Sequence, residues 1–275
     1  VEQAGELWRY DGRRAVVTGC ASGIGASLAR QLTELGAEVV GLDVRQPAGG
    51  IHTFHQIDLA DPESIGHAVS AISGPVHALF NVAGVSAGIG DPRRVVSVNF
   101  LGLRHLTTAL APRMPAGSSI ANVASVAASG YRENARLVSG LLNTRTMDEG
   151  LAWCDAHADD IADGCYQLSK AAVILYTMSE GASFAARGVR LNCICPGVTE
   201  TPILNDTREA YGQEFLDNIP KPLGRVAMPD EQAAILVFMN SQAATYLSGE
   251  VLWADGGHVS SQAARQLLNP GISVV

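Results

Sequence analysis

Arg14-Ala15-Val16-Val17-Thr18-Gly19-Cys20-Ala21-Ser22-Gly23-Ile24-Gly25 decides the fold. The apolar run from Arg14 to Thr18 ends in glycines. Residues 23–35 then place Leu28, Leu32 and Leu35 at helical spacing, with Gly36 as the stop. The order is strand, glycine turn, helix. Glycine there permits a tight turn and close approach of backbone to a pyrophosphate. The helix that follows presents unpaired N–H groups and a dipole that favours negative charge. A glycine cluster alone is a weak signal, since many turns are glycine-rich. Its place between the first strand and the first helix gives it weight. Gly19, Ser22, Gly23, Ile24 and Gly25 are therefore candidate cofactor-binding residues.

Residues 38–42 read as a second apolar strand, closed by Asp43, which lies 18 positions beyond Gly25. A carboxylate there can accept hydrogen bonds from adenine-ribose hydroxyls and would repel a 2′-phosphate. Position 22 is Ser and not a basic residue. Both observations favour NAD over NADP, with Arg45 nearby as the contrary feature. The alternative reading of Asp43 is an ordinary exposed loop acid.

Beyond this unit, residues 51–57, 76–80, 119–123, 189–194 and 251–254 read as further strands. Residues 62–72, with Asp61 as N-cap, and residues 95–110, 166–186 and 229–239 read as helices. Strands and helices alternate, and the strands are apolar on both faces. That pattern specifies an α/β fold: a seven-stranded parallel sheet of the doubly wound Rossmann type, with helices on each side. No Pro/Ser linker or repeat divides the chain, so residues 1–275 form one expected domain. Apolar residues make up 47 % and aromatics only 5 %, which suits a core of Val, Ile, Leu and Ala.

The net charge of −8 argues against non-specific nucleic-acid binding and against an anionic membrane surface. No stretch approaches a transmembrane length. Val1-Glu2-Gln3-Ala4-Gly5-Glu6 lacks a basic-then-apolar signal-peptide pattern, so the expected location is the cytoplasm. Five scattered cysteines do not suggest a disulfide framework. Cys193 and Cys195 alternate in a strand-like run as small buried residues. The pairs Cys154/His157 and His52/His55 have ligand-like spacing, but neither completes a set of four, and no metal is expected.

Tyr166-Gln167-Leu168-Ser169-Lys170 places a phenol and an ammonium at i and i+4, on one helix face. A tyrosine with a pKa of about 10 is a poor base at neutral pH. A neighbouring cation favours the phenolate, so that it can exchange a proton with an alcohol or carbonyl. Upstream, residues 127–164 break the rhythm of the fold and carry Asp148, Glu149, Asp155, Asp159, Asp160 and Asp163. So long a connection has structure or function of its own, or is a surface excursion. One reading is a helical insertion, with a helix over 147–158, that shapes a substrate pocket or subunit interface.

Together these motifs resemble the short-chain dehydrogenase/reductase family over about residues 12–257. The glycine turn is similar to the family's Thr-Gly-x-x-x-Gly-x-Gly. Asp58-Leu59 resembles the acid after strand three that contacts adenine. Asn81-Val82-Ala83-Gly84 resembles Asn-Asn-Ala-Gly, with Val82 departing from the second Asn. Asn99, Ser125, Tyr166 and Lys170 resemble the catalytic tetrad in chain order. Pro196-Gly197-Val198-Thr199 resembles the loop under the nicotinamide, and Thr201 the residue that holds its carboxamide. The resemblance implies NAD-dependent hydride transfer with a secondary alcohol or ketone. Tyr166 is then the general acid/base and Ser125 the donor to the substrate oxygen. Lys170 binds the ribose and lowers the Tyr166 pKa, and Asn99 holds a water. Asn99 has a second reading, in which it satisfies backbone groups where its helix bends. Family members are homodimers or homotetramers, so a homo-oligomer is implied.

The 41 residues from Ser125 to Tyr166 resemble those of the bacterial 3α-hydroxysteroid dehydrogenase/carbonyl reductase subgroup, which includes coniferyl-alcohol dehydrogenase-like proteins. A bulky apolar substrate such as a steroid is implied, with an aromatic alcohol as the alternative. A non-catalytic NAD-binding sensor would have lost Tyr166, Lys170 or Ser125, and all are present. An epimerase on sugar nucleotides would need more room after strand six. Ile203, Leu204, Phe215 and Leu216 either line an apolar cleft or pack on the core, and the tail from His258 to Val275 is a candidate cover for the same cleft.

Overall fold

The computed structural model describes residues 5–268. Seven strands form one parallel sheet: β1 (Arg14–Thr18), β2 (Glu38–Asp43), β3 (Thr53–Gln56), β4 (Ala78–Asn81), β5 (Ser119–Val123), β6 (Arg190–Pro196) and β7 (Val251–Ala254). Their spatial order is β3-β2-β1-β4-β5-β6-β7. β4 and β5 are wholly buried, so these central strands carry apolar residues on both faces, without polar/apolar alternation.

Two apolar layers sandwich the sheet. One face is covered by α1 (Gly23–Glu34) and α11 (Pro229–Asn240), with Leu28, Leu32, Phe80 and Leu236 fully buried. The other is covered by α2 (Pro62–Ala71), α4 (Leu103–Leu110) and α8 (Cys165–Ala185), through Ile65, Leu106 and Ile174. Each such side chain contributes about 1.5–3 kcal/mol by leaving water. Asp61 accepts from the Glu63 N–H and caps α2, as its position ahead of Pro62 predicts.

The helix expected over 95–110 is longer and discontinuous. α3 (Pro92–Val96) runs into a π-helical stretch, Ser97–Gly102, and then into α4. Gly102 lets this wide turn pack on Leu59, because a Cβ there would meet the Leu59 carbonyl oxygen at 2.1 Å. The third strand is shorter than expected and the sixth reaches Pro196.

Residues 127–164 hold three helices: α5 (Ala135–Leu142), α6 (Met147–Ala156) and α7 (Ala158–Ala162). Gly150 sits against Leu101, so α6 packs close on the π-helical stretch. Arg104 reaches from α4 into this segment and donates to the Leu141, Thr144 and Thr146 carbonyls and the Thr144 hydroxyl. Two helices not foreseen, α9 (Pro202–Tyr211) and α10 (Gln213–Asn218), follow β6. Residues 258–268 form α12 (His258–Leu268), capped by the Asp255 carboxylate. Nothing in α12 lines the cleft described below, and residues 269–275 of the expected cover lie outside the described residues.

Candidate active site

A cleft of about 850 Å³ opens at the carboxyl ends of the strands, beside β1 and β4 where the strand order reverses. Loops leaving strands on either side of such a reversal diverge, which creates a crevice. Gly19, Ser22, Gly23, Ile24 and Gly25 line one wall. Gly19 has φ 72°, and a Cβ on it would lie 2.9 Å from the Ala83 backbone. A Cβ on Gly25 would fall 2.0 Å from the Gly19 carbonyl oxygen. Only glycine lets these two loops meet so closely. Ser22 occupies the N-cap of α1 without a side-chain cap, so the first-turn N–H groups remain directed at the cleft.

Asp43 lies at the end of β2. Its Oδ2 accepts from the Ala21 N–H at 2.9 Å and its Oδ1 from the Arg45 N–H at 3.0 Å. The carboxylate therefore braces the glycine turn and also faces the cleft. Thr18, the last residue of β1, accepts from the Val82 and Ala83 N–H groups at 2.9 and 3.0 Å. This hydroxyl staples the glycine turn to the turn after β4. It belongs to the glycine motif but was not singled out, because its partners lie 64 and 65 residues away.

The first two turns of α8 supply Tyr166, Gln167 and Lys170 to the facing wall, and Ser125 leaves β5 opposite them. Ser125 accepts from the Ala127 N–H at 3.2 Å, which fixes its rotamer at the strand exit. Burial raises the Tyr166 pKa, and the neighbouring Ser125 opposes that rise. Burial pulls the Lys170 ammonium down to about 8, against the opposing influence of Cys195 and Cys193. Its Nζ donates to the Val123 carbonyl at 2.9 Å and lies 5.9 Å from the Tyr166 ring centre. A Cβ on Gly84 would meet Lys170 Nζ at 3.3 Å and Asn99 Oδ1 at 3.1 Å, so all three converge.

Comparison with known proteins accounts for this arrangement. The short chain dehydrogenase family matches residues 13–136, and a family described as enoyl-(acyl carrier protein) reductase matches residues 157–259. Coniferyl-alcohol dehydrogenase of Pseudomonas sp. strain HR199 is 37 % identical over 90 % of this chain and 97 % of its own length. The 3α-hydroxysteroid dehydrogenase/carbonyl reductase of Comamonas testosteroni is 31 % identical over 88 % and 95 %. The chain belongs to the short-chain dehydrogenase/reductase family. The 3α-hydroxysteroid dehydrogenase of Pseudomonas sp. B-0831, solved with NADH, superposes with a TM-score of 0.78 at 30 % identity, covering 94 % of this chain and 99 % of that one.

Other short-chain dehydrogenase positions distribute unevenly. Asp58, Leu59, Ala83, Gly84, Pro196, Gly197, Val198 and Thr201 all line the cleft. Gly197 packs on Asp255, where a Cβ would stand 2.9 Å from the backbone. Asn81 does not line the cleft. It is buried in β4, and its amide donates to Thr107 and Asn122 at 2.9 and 2.8 Å. Its side chain follows the strand pleat into the helix layer, so it ties sheet to helix. Asn99 is also buried, directly behind the Gly84 and Lys170 wall of the cleft. Its Oδ1 accepts from the Val85 N–H at 2.8 Å, and its Nδ2 donates to the Val85 carbonyl at 3.0 Å and to Ser169 at 3.2 Å. The carboxamide thus ties the turn after Gly84 to α8.

The far end of the cleft is closed by α9 and α10. Ile203, Leu204, Phe215 and Leu216 all line it, together with Tyr211, whose ring centre lies 5.2 Å from that of Phe215. Ala162, Asp163, Gly164 and Cys165, the end of the 127–164 segment, line the same end. No helix among the described residues is long and apolar enough to cross a membrane, and no metal-ligating cluster occurs among them.

Proposed function

We propose that this chain is an NAD(H)-dependent dehydrogenase acting on a secondary alcohol or ketone carried by a bulky apolar molecule of the hydroxysteroid kind. The observation that carries this reading is the convergence of Ser125, Tyr166 and Lys170 on one cleft, with the glycine cradle lining the same cleft. The cradle suits a dinucleotide: Gly19 and Gly25 leave no room for a side chain, and the α1 N-terminus points its N–H groups outward. Asp43 would take the adenine ribose, Asp58 the base, Lys170 the other ribose, and Thr201 with Pro196 to Val198 the nicotinamide. When bound, the nicotinamide supplies or accepts the hydride.

The protein's share is proton handling and orientation. Tyr166 gives its proton to a ketone oxygen or takes one from an alcohol, and such catalysis is worth roughly 10²–10⁴-fold. Ser125 donates to the same oxygen, stabilising charge as it develops. Lys170 supplies positive charge near the phenol, which counters the burial that raises its pKa. Asn99 positions Gly84 and, through Ser169, the first turn of α8. The apolar far end of the cleft, between α9–α10 and the end of α7, receives the body of the substrate.

Measurement of NADH formation from NAD⁺ across steroid, terpenoid and aryl alcohols tests the reading. Turnover strongest on steroids is expected. Preference for aryl alcohols would shift the substrate to the aromatic class, and tight NAD binding without turnover would replace the enzyme by a sensor. We further propose a homo-oligomer, which a monomer mass by light scattering would refute.

A further inference from the structure

Two adjacent arginines on α3 point in opposite directions. Arg93 donates to Asp155 of α6 at 2.7 Å, away from the cleft. Arg94 lines the cleft and donates to Asp58 Oδ2 at 2.9 Å. Asp91, the N-cap of α3, accepts from the Arg94 N–H at 2.9 Å, so the backbone from which Arg94 projects is held. Asp58 is held from three sides. Its N–H donates to Ser64 and its Oδ1 accepts from the Ala60 N–H, both at 2.9 Å, while Arg94 takes Oδ2. Each carboxylate oxygen has two lone pairs, so one on each remains for a ligand in the cleft.

We propose that Arg94 is a positioning residue for the adenine half of the dinucleotide: it orients the Asp58 carboxylate so that its remaining lone pairs meet the exocyclic amine of the base. The proposal rests on the dehydrogenase reading above. Without Arg94, Asp58 keeps only its local Ala60 contact and swings over a range of rotamers, and ordering it again on binding costs affinity. Arg94, with Arg45, also supplies positive charge to a cleft lined by Asp43 and Asp58. Because Arg94 and Asp58 are both partly exposed, the effect is moderated by solvent. α3 leads directly into the π-helical stretch that carries Asn99, so the same ion pair anchors the helix feeding the catalytic end.

Fluorescence titration of the wild-type protein, R94M and R94K with NADH, ADP-ribose and reduced nicotinamide mononucleotide tests this. R94M is expected to weaken NADH and ADP-ribose by about five- to twentyfold, with R94K recovering part of the loss. Affinity for reduced nicotinamide mononucleotide, which has no adenine, stays the same. Undiminished NADH affinity in R94M overturns the proposal. An equal loss for the mononucleotide does too, since it would mean that the whole cleft had moved. Absence of NADH binding by the wild type refutes the dehydrogenase reading itself, a distinct outcome.

Discussion

The Lys170 ammonium donates to the Val123 carbonyl and stands 5.9 Å from the centre of the Tyr166 ring. It is 3 % exposed, and no carboxylate pairs with it among the described residues. A buried cation without an anion is costly, and here it stands beside the Tyr166 phenol.

Stability should reveal that cost. The Lys170 pKa falls from 10.5 when unfolded to about 8 when folded. The folded state thus disfavours the charged form. Between these two values the unfolded chain binds more protons, so this lysine makes stability rise with pH from about 8 upward. The span corresponds to roughly 3 kcal/mol. Lys170→Met should therefore melt at a higher temperature than wild type at pH 7, and should lose the upward slope between pH 8 and 9.5. Its turnover should collapse. Thermal melts across that range check the first two expectations, and a lower melting point for the variant at pH 7 would contradict them.

Tyr166→Phe removes the exchangeable proton and leaves the ring in place. Turnover should fall about 10²–10⁴-fold. NADH affinity should change less than threefold, because no cradle contact is lost. In the wild type, alcohol oxidation should accelerate with pH, since burial holds Tyr166 above its ordinary value and the phenolate is the minor form at pH 7. Initial rates from pH 6 to 10 measure this, and a flat profile would count against Tyr166 as the base.

At the opposite end of the sheet, His77 Nδ1 accepts from the Arg14 N–H at 2.9 Å where β1 begins. That bond requires a neutral ring. Burial lowers the His77 pKa, and the Arg13 and Arg14 charges lower it further. A depressed histidine stabilises the fold above its unfolded pKa of about 6.5, and the stability is lost as pH falls below that value. His77→Asn keeps an acceptor and cannot titrate. It should show a smaller loss of melting temperature between pH 7.5 and 5.5 than wild type, as measured by circular dichroism.

Arg104 joins α4 to the 141–146 bend through four donated hydrogen bonds and lies over the Phe100 ring at 5.2 Å. Arg104→Ala strands those carbonyls in a buried setting. A loss of about 2–4 kcal/mol is expected in urea unfolding. Because α6 and α7 carry the chain to Gly164 and Tyr166, substrate KM should rise as well. Arg104→Lys should restore little, since an ammonium cannot span carbonyls that a planar fork reaches together.

The sequence showed the site where chemistry and chain position coincide. Gly19 to Gly25 are consecutive, and Tyr166 and Lys170 are one helical turn apart, so local geometry brought them together in advance of any fold. Asn81 shows the limit of such adjacency. It is adjacent to Val82, Ala83 and Gly84 in the chain, but the period-2 pleat sends its side chain to the other layer. The Asn99 carboxamide meets Val85, 14 residues away, and no local spacing encodes that contact. The helices α5, α9 and α10 went unpredicted, because their apolar residues meet neighbours brought in by the fold.

By itself the sequence determined the parallel sheet, the glycine cradle, the acid that ends β2 and the Tyr166–Lys170 face. Each depends on spacing within a strand, a turn or a helix, and backbone geometry converts that spacing into position. Only the tertiary structure decided that Thr18 staples two turns, that Arg94 holds Asp58 and that Arg104 anchors the 127–164 helices. Those contacts join residues 36 to 65 positions apart. No periodicity encodes them; they exist because burying both faces of the sheet forces distant loops to one edge.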